Sequence, residues 1–263
     1  MEEDRKTITV TIYTEALATH SSPNISWATA AAVTLYKEGL FNSYDGPAAV
    51  AEVPFGNGYF NNRFACNESG SSAVATASAG RGGAVWSAAQ ADCWLSNCSA
   101  GQIVVPDACV EEGDVVCEHG PRECAIQRWQ AFLWTHYLSS GALALQLSLC
   151  LTTGAAAAGD DANDLARRCL TEAGVGSDYS RLLNHYYKTF RATETVQYAA
   201  TVMGSHVKRA NVTSPKEWPL VVLSSYDGLK SLSYTGPRTS DGLKSAICKL
   251  YVEMKYGPTP PMC

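Results

Sequence analysis

The sequence predicts an α/β fold, and three observations predict it. Residues 8–54 carry a strand–helix–strand pattern, the middle of the chain carries helical patterns, and the stretch from residue 216 onward carries strand–strand–helix. Ile8 to Tyr13 alternates apolar and polar residues and is rich in β-branched side chains, which predicts a strand. A polar turn, Ala18 to Pro23, follows. Asn24 to Phe41 then has Trp27, Ala28, Ala31 and Leu35 on one stripe, which predicts a helix with Pro23 at its first turn and Ser22 as N-cap. Ala48 to Pro54 predicts a second strand.

From Gly58 to about Gly113 the composition shifts to Gly, Ser, Ala and Asn, and from Ser69 to Gly83 it is that of a flexible segment. This stretch holds Cys66, Cys93, Cys98 and Cys109 and is expected to be an insertion held by its own disulfides. Ile126, Trp129, Leu133 and Tyr137 recur at helical spacing over Glu123 to Tyr137. Leucine alternates with other residues from Leu143 to Leu151, which suits a strand, although its surroundings are helical. Asp161 to Ala173 and Asp178 to Thr193 predict helices separated by Gly174 and Gly176. Pro219 to Leu223 predicts a strand, Asp227-Gly228 a turn, Leu232 to Tyr234 a return strand, and Asp241 to Tyr251 a helix with Leu243, Ile247, Leu250 and Tyr251 on one face. This order matches a thioredoxin-like core with a helical insertion and an extra disulfide-rich insertion. The expected division is 1–57 for the N-terminal β-α-β part, 58–113 for the Gly/Ser-rich insertion, 114–215 for a central helical region, and 216–263 for the C-terminal β-β-α part.

Composition narrows the function classes. The chain has 263 residues, 46% hydrophobic and 17% charged, which is globular and not disordered. With a net charge of −5 and no basic patch, neither a nucleic-acid partner nor a polybasic membrane-surface mode is expected. Ten cysteines, Cys66, Cys93, Cys98, Cys109, Cys117, Cys124, Cys150, Cys169, Cys248 and Cys263, point to an oxidising compartment and structural disulfides. They allow on the order of a thousand pairings. No Cys-x-x-Cys occurs and the five histidines are scattered, so no metal site is expected. Four Asn-x-Ser/Thr sequons, at Asn24, Asn67, Asn97 and Asn211, also fit the secretory pathway; Cys98 beside Asn97 makes that one the least favourable. The start, Met1-Glu2-Glu3-Asp4-Arg5, carries no apolar targeting stretch and no run is long enough to span a bilayer. The expectation is a trimmed mature region, with a signal peptide and any C-terminal anchor lying outside this chain.

Cys117-Glu118-His119-Gly120-Pro121-Arg122-Glu123-Cys124 resembles the Cys-Gln-His-Gly-x-x-Glu-Cys motif of the gamma-interferon-inducible lysosomal thiol reductase (GILT) family. Val53-Pro54-Phe55-Gly56-Asn57 is similar to that family's Val-Pro-Tyr-Gly-Asn after the second strand. Glu217-Trp218-Pro219-Leu220-Val221 is similar to its strand preceded by proline, and Cys248-Lys249-Leu250-Tyr251 with Cys263 to its C-terminal cysteine pair. The likeness runs in order along the chain except over Gly58 to Gly113. It implies a thioredoxin-like fold, a lysosomal or endosomal address, structural roles for Cys117 and Cys124, and thiol-disulfide exchange by a Cys-x-x-Cys pair at the start of the first helix. There, the helix N-terminus would lower the first thiol's pKa and the second thiol would resolve the mixed disulfide.

The chain departs from that pattern at the decisive positions. Tyr13-Thr14-Glu15-Ala16-Leu17-Ala18-Thr19-His20-Ser21 puts Ala18 at the nucleophile position and Ser21 at the resolving position. A methyl group cannot attack sulfur, and a serine hydroxyl is far less acidic than a thiol. No catalytic residue is therefore expected, and Pro219 is the proline expected to face the degenerate site. A sugar on Asn24 would crowd that site. His20 reads as an exposed turn residue and His119 as a local polar contact. No Gly-x-Ser-x-Gly elbow surrounds Ser21, which disfavours a hydrolase. The leading expectation is a redox-inactive secretory or cell-surface glycoprotein that binds a protein partner and uses no cofactor. The alternative is a thiol reductase whose two cysteines were replaced on purpose in this chain. A third reading is a chaperone-like binder of unfolded peptides.

Overall fold

The computed structural model describes residues 7–14, 26–41, 47–54, 59–60, 115–116, 121–155, 161–189, 219–225 and 228–263. Its centre is β1 (Ile8–Thr14), whose alternating Ile8, Val10 and Ile12 are fully buried. β2 (Ala48–Pro54) pairs with β1 in parallel, with Ile12 opposite Glu52 and Thr14 opposite Pro54. β5 (Leu220–Ser224) lies antiparallel on the other side of β1, with Tyr13 opposite Leu220. β6 (Ser231–Ser233) completes the hairpin, giving a four-stranded mixed sheet of order β2-β1-β5-β6. A separate antiparallel pair joins β3 (Tyr59–Phe60) to β4 (Val115–Val116). The protein is thus α/β, as the sequence predicts.

α1 (Trp27–Lys37) forms the parallel crossover between β1 and β2. It begins at Trp27 and not at Asn24, with Ser26 at the N-cap making no side-chain cap bond; the expected Ser22 cap lies outside the described residues. It stops before Leu40 because Gly39 takes a φ of 82°. There Gly39 N–H donates to Tyr36 O and Leu40 N–H to Leu35 O, a Schellman closure that buries Leu40 with Leu35. α6 (Ser240–Glu253) packs beside α1, its N-terminus capped by Thr239, whose Oγ1 accepts from Gly242 N–H at 3.1 Å. Leu243, Ile247 and Leu250 join Ala28, Ala31 and Leu35 against the Ile8–Val10–Ile12 face of the sheet.

The middle of the chain is helical: α2 (Pro121–His136), α3 (Gly141–Ala155), α4 (Ala162–Glu172) and α5 (Tyr179–Thr189). Pro121 at the first position and Glu123 in the first turn of α2 suit a helix N-terminus. Arg122 Nη1 donates to Ala155 O at 2.8 Å, capping the end of α3. These helices enclose a second apolar cluster around Trp129, which stacks on Tyr186 (ring centroids 4.3 Å apart) and donates from Nε1 to Asn163 Oδ1 at 3.0 Å.

The strand expected over Leu143 to Leu151 is corrected: this segment lies within α3. The alternating leucines suit period two only because Leu143 and Leu149 occupy the half-buried side of the helix, where Gln146 and Thr153 are exposed. Leu145 packs into the cluster on the sheet, whereas Leu147 and Leu151 pack into the Trp129 cluster. A helix that carries leucines on its half-buried side as well as on the side facing the two clusters shows little of the 3.6-residue stripe. Ala, Leu and Gln are strong helix formers, and the only β-branched residues are Thr152 and Thr153.

Candidate functional site

The parallel strands β1 and β2 end side by side at Thr14 and Pro54. One step beyond the Tyr13–Leu220 pair, Pro219 leads into β5, so this buried proline flanks the end of β1 on the side opposite Pro54. The first turn of α1 stands over the same end of the sheet, and Thr29 on it is fully buried. Ala18, Ser21, His20 and Asn24 lie in the β1–α1 connection, outside the described residues. Asn67, Asn97, Asn211, His119, Cys66, Cys93, Cys98, Cys109 and Cys117 are likewise outside the described residues; Cys124 falls in the first turn of α2. Of the expected site residues, the structure therefore places Pro219 beside the end of β1 and leaves Ala18 and Ser21 undescribed.

Beneath this end lies a polar cluster that the sequence reading did not single out. Glu52, 4% exposed, points to the helical face of the sheet. Its Oε1 accepts from Ser148 Oγ at 2.6 Å, Thr14 Oγ1 at 3.1 Å and Thr29 Oγ1 at 3.5 Å. Ser148 Oγ in turn accepts from Gln130 Nε2 at 3.3 Å, and Gln130 Nε2 also reaches Thr152 Oγ1 at 2.8 Å. Glu52 Oε2 and Gln130 Oε1 are buried without a hydrogen-bond partner among the described residues. Burial pushes the Glu52 carboxyl up to about 7, against the opposing pull of the hydroxyls of Ser148, Thr14 and Thr29. Two signals marked this cluster: an acid on the inward face of an otherwise apolar strand, and Ser148 with Thr152 one turn apart on an apolar helix.

Ser148 and Glu52 make a hydroxyl–carboxyl pair, but the serine is 3% exposed and donates inward, so it does not present a nucleophile to a substrate. Among the described residues two disulfides are formed: Cys150–Cys169 joins α3 to α4 (Cα–Cα 5.7 Å) and Cys248–Cys263 ties α6 to the C-terminal segment (Cα–Cα 5.5 Å). Among the described residues no cysteine is free, no cluster of His, Cys, Asp and Glu could hold a metal, and no helix is long and apolar enough to cross a membrane. No family model, curated protein or solved structure matches the chain.

Proposed function

We propose that this chain is a thioredoxin-like scaffold of the GILT family that has lost redox chemistry and serves as a binding module for a protein partner. The observation that carries the reading is the pairing of a sheet of order β2-β1-β5-β6, with Pro219 beside the end of β1, and a following sequence that offers Ala18 and Ser21 in place of thiols. Exchange chemistry needs a thiolate at that junction, and the first cysteine of the chain is Cys66. The two disulfides support an oxidising compartment, and with the sequons at Asn24, Asn67, Asn97 and Asn211 they favour a glycoprotein of the cell surface, the extracellular space or the lysosomal and endosomal lumen. The Gly58 to Gly113 insertion is the region proposed to carry new binding surface.

An insulin-reduction assay tests this on the chain as it stands beside an Ala18→Cys/Ser21→Cys version, at acidic and neutral pH. The expected result is an inert chain and an active double variant. Activity of the chain itself would overturn the redox-dead reading. Inertness of both would remove the support for a reductase-derived groove. The second reading, a reductase silenced on purpose, rests on Ala and Ser being ordinary replacements for a cysteine pair, and the natural gene sequence decides it.

A further inference from the structure

We infer that Glu52 is held as a neutral carboxylic acid in the folded chain, and that its ionisation loosens the seam between the sheet layer and the helical layer, so the molecule is tightest at acid pH. The inference stands on buried side chains and does not depend on the reading of residues 18 and 21. Its basis is the asymmetry of the carboxyl group. Three hydroxyl donors converge on Oε1, while Oε2 has none among the described residues. A carboxylate spreads its charge over both oxygens, so ionisation would leave half a charge bare in the core. A carboxylic acid, with Oε1 as the carbonyl acceptor and the proton on Oε2, leaves a neutral hydroxyl there in place of that charge, which burial penalises far less.

Among the described residues no cation compensates. β1 contributes Thr14 to this face, with Tyr13 on the opposite one, α1 contributes Thr29, and α3 contributes Ser148. α2, which packs on β2, contributes Gln130 to the relay; its ionisable residues are Arg122, Glu123, Arg128 and His136, and none is among the causes of the raised Glu52 pKa. The three donors come from three elements, and α3 itself belongs to both apolar clusters, so the carboxyl lies where the two layers meet.

The sign follows from linkage. The folded acid holds its proton up to about 7, against an ordinary 4.5. Its contribution to stability is therefore fully present below the lower value and is lost as pH rises through the upper one. The test is the pH dependence of unfolding of the full chain, its disulfides intact, beside Glu52→Gln. The unfolding constant of the unaltered chain is expected to rise on the order of 100-fold more than that of Glu52→Gln between about pH 5 and pH 8. Amide exchange in α3, corrected for its intrinsic pH dependence, is expected to quicken over the same range. Should Glu52→Gln fail to fold, the carbon-13 shift of the Glu52 carboxyl is titrated in the unaltered chain and in Ser148→Ala. A midpoint near 7 that moves higher in Ser148→Ala bears the inference out. A midpoint in the ordinary carboxylate range, or equal pH slopes for the chain and Glu52→Gln, overturns it.

Discussion

Lys255 holds a φ of 55° just past the end of α6, where α1 and α4 place Gly39 and Gly174 at 82° and 78°. The hydrogen-bond closure is of the same kind, from Lys255 N–H to Val252 O and Tyr256 N–H to Tyr251 O. A side chain in this conformation costs ~1–2 kcal/mol, while glycine loses ~0.5–1 kcal/mol more entropy on folding. Lys255→Gly is therefore expected to raise stability by ~0.5–1 kcal/mol, read as a higher urea midpoint at unchanged slope. At this same scale the sequence was least legible for Glu52. Its residue type and strand position were visible, but its burial depends on Thr14, Thr29 and Ser148, which lie far apart in the chain. Convergence of that kind leaves no local pattern.

Among the elements, α3 carries the most. A Cβ at Gly154 would lie 2.5 Å from Leu165 Cδ1 and 3.0 Å from Arg168 Nη2. Leu165 is fully buried in the Trp129 cluster and cannot swing aside. Gly154→Ala gains ~1 kcal/mol of helix propensity but overpacks a closed interface at a cost of ~1–3 kcal/mol. The expected net loss is ~1 kcal/mol, visible as a thermal midpoint lower by about 2–4 °C. The elements that the sequence announced were those with a polar side or a pinned end. β1 alternates, β2 stops at Pro54, α4 ends at Gly174, and the β5–β6 hairpin turns through Gly228 with Ser225 N–H donating to Lys230 O. α3 hides its period because Leu145, Leu147 and Leu151 divide between two clusters while Leu143 and Leu149 lie on its half-buried side, which leaves little of the contrast that periodicity needs.

For the molecule as a whole, a helix common to both clusters couples them. Loss of α3 strips Leu145 from the sheet cluster and Leu147 and Leu151 from the other, so the described layers are expected to unfold as one unit at acid pH. Native-state hydrogen exchange checks this: the slowest amides of β1 and of α2 should report the same opening free energy near pH 5, and separate ones would show independent layers. The Cys150–Cys169 bridge, spanning 19 residues, reinforces the α3–α4 contact. Sheet order carries a different consequence. β1 has β2 on one side early in the chain, but its other partner is Leu220–Ser224, close to the C-terminus. During synthesis at about 5–20 residues per second, that flank of β1 stays open for on the order of ten to forty seconds. A bare, apolar strand margin is a template for pairing with other nascent chains. Biogenesis of this protein therefore has a waiting period built into its strand order, which ends only when the ribosome delivers the hairpin that closes that flank of β1.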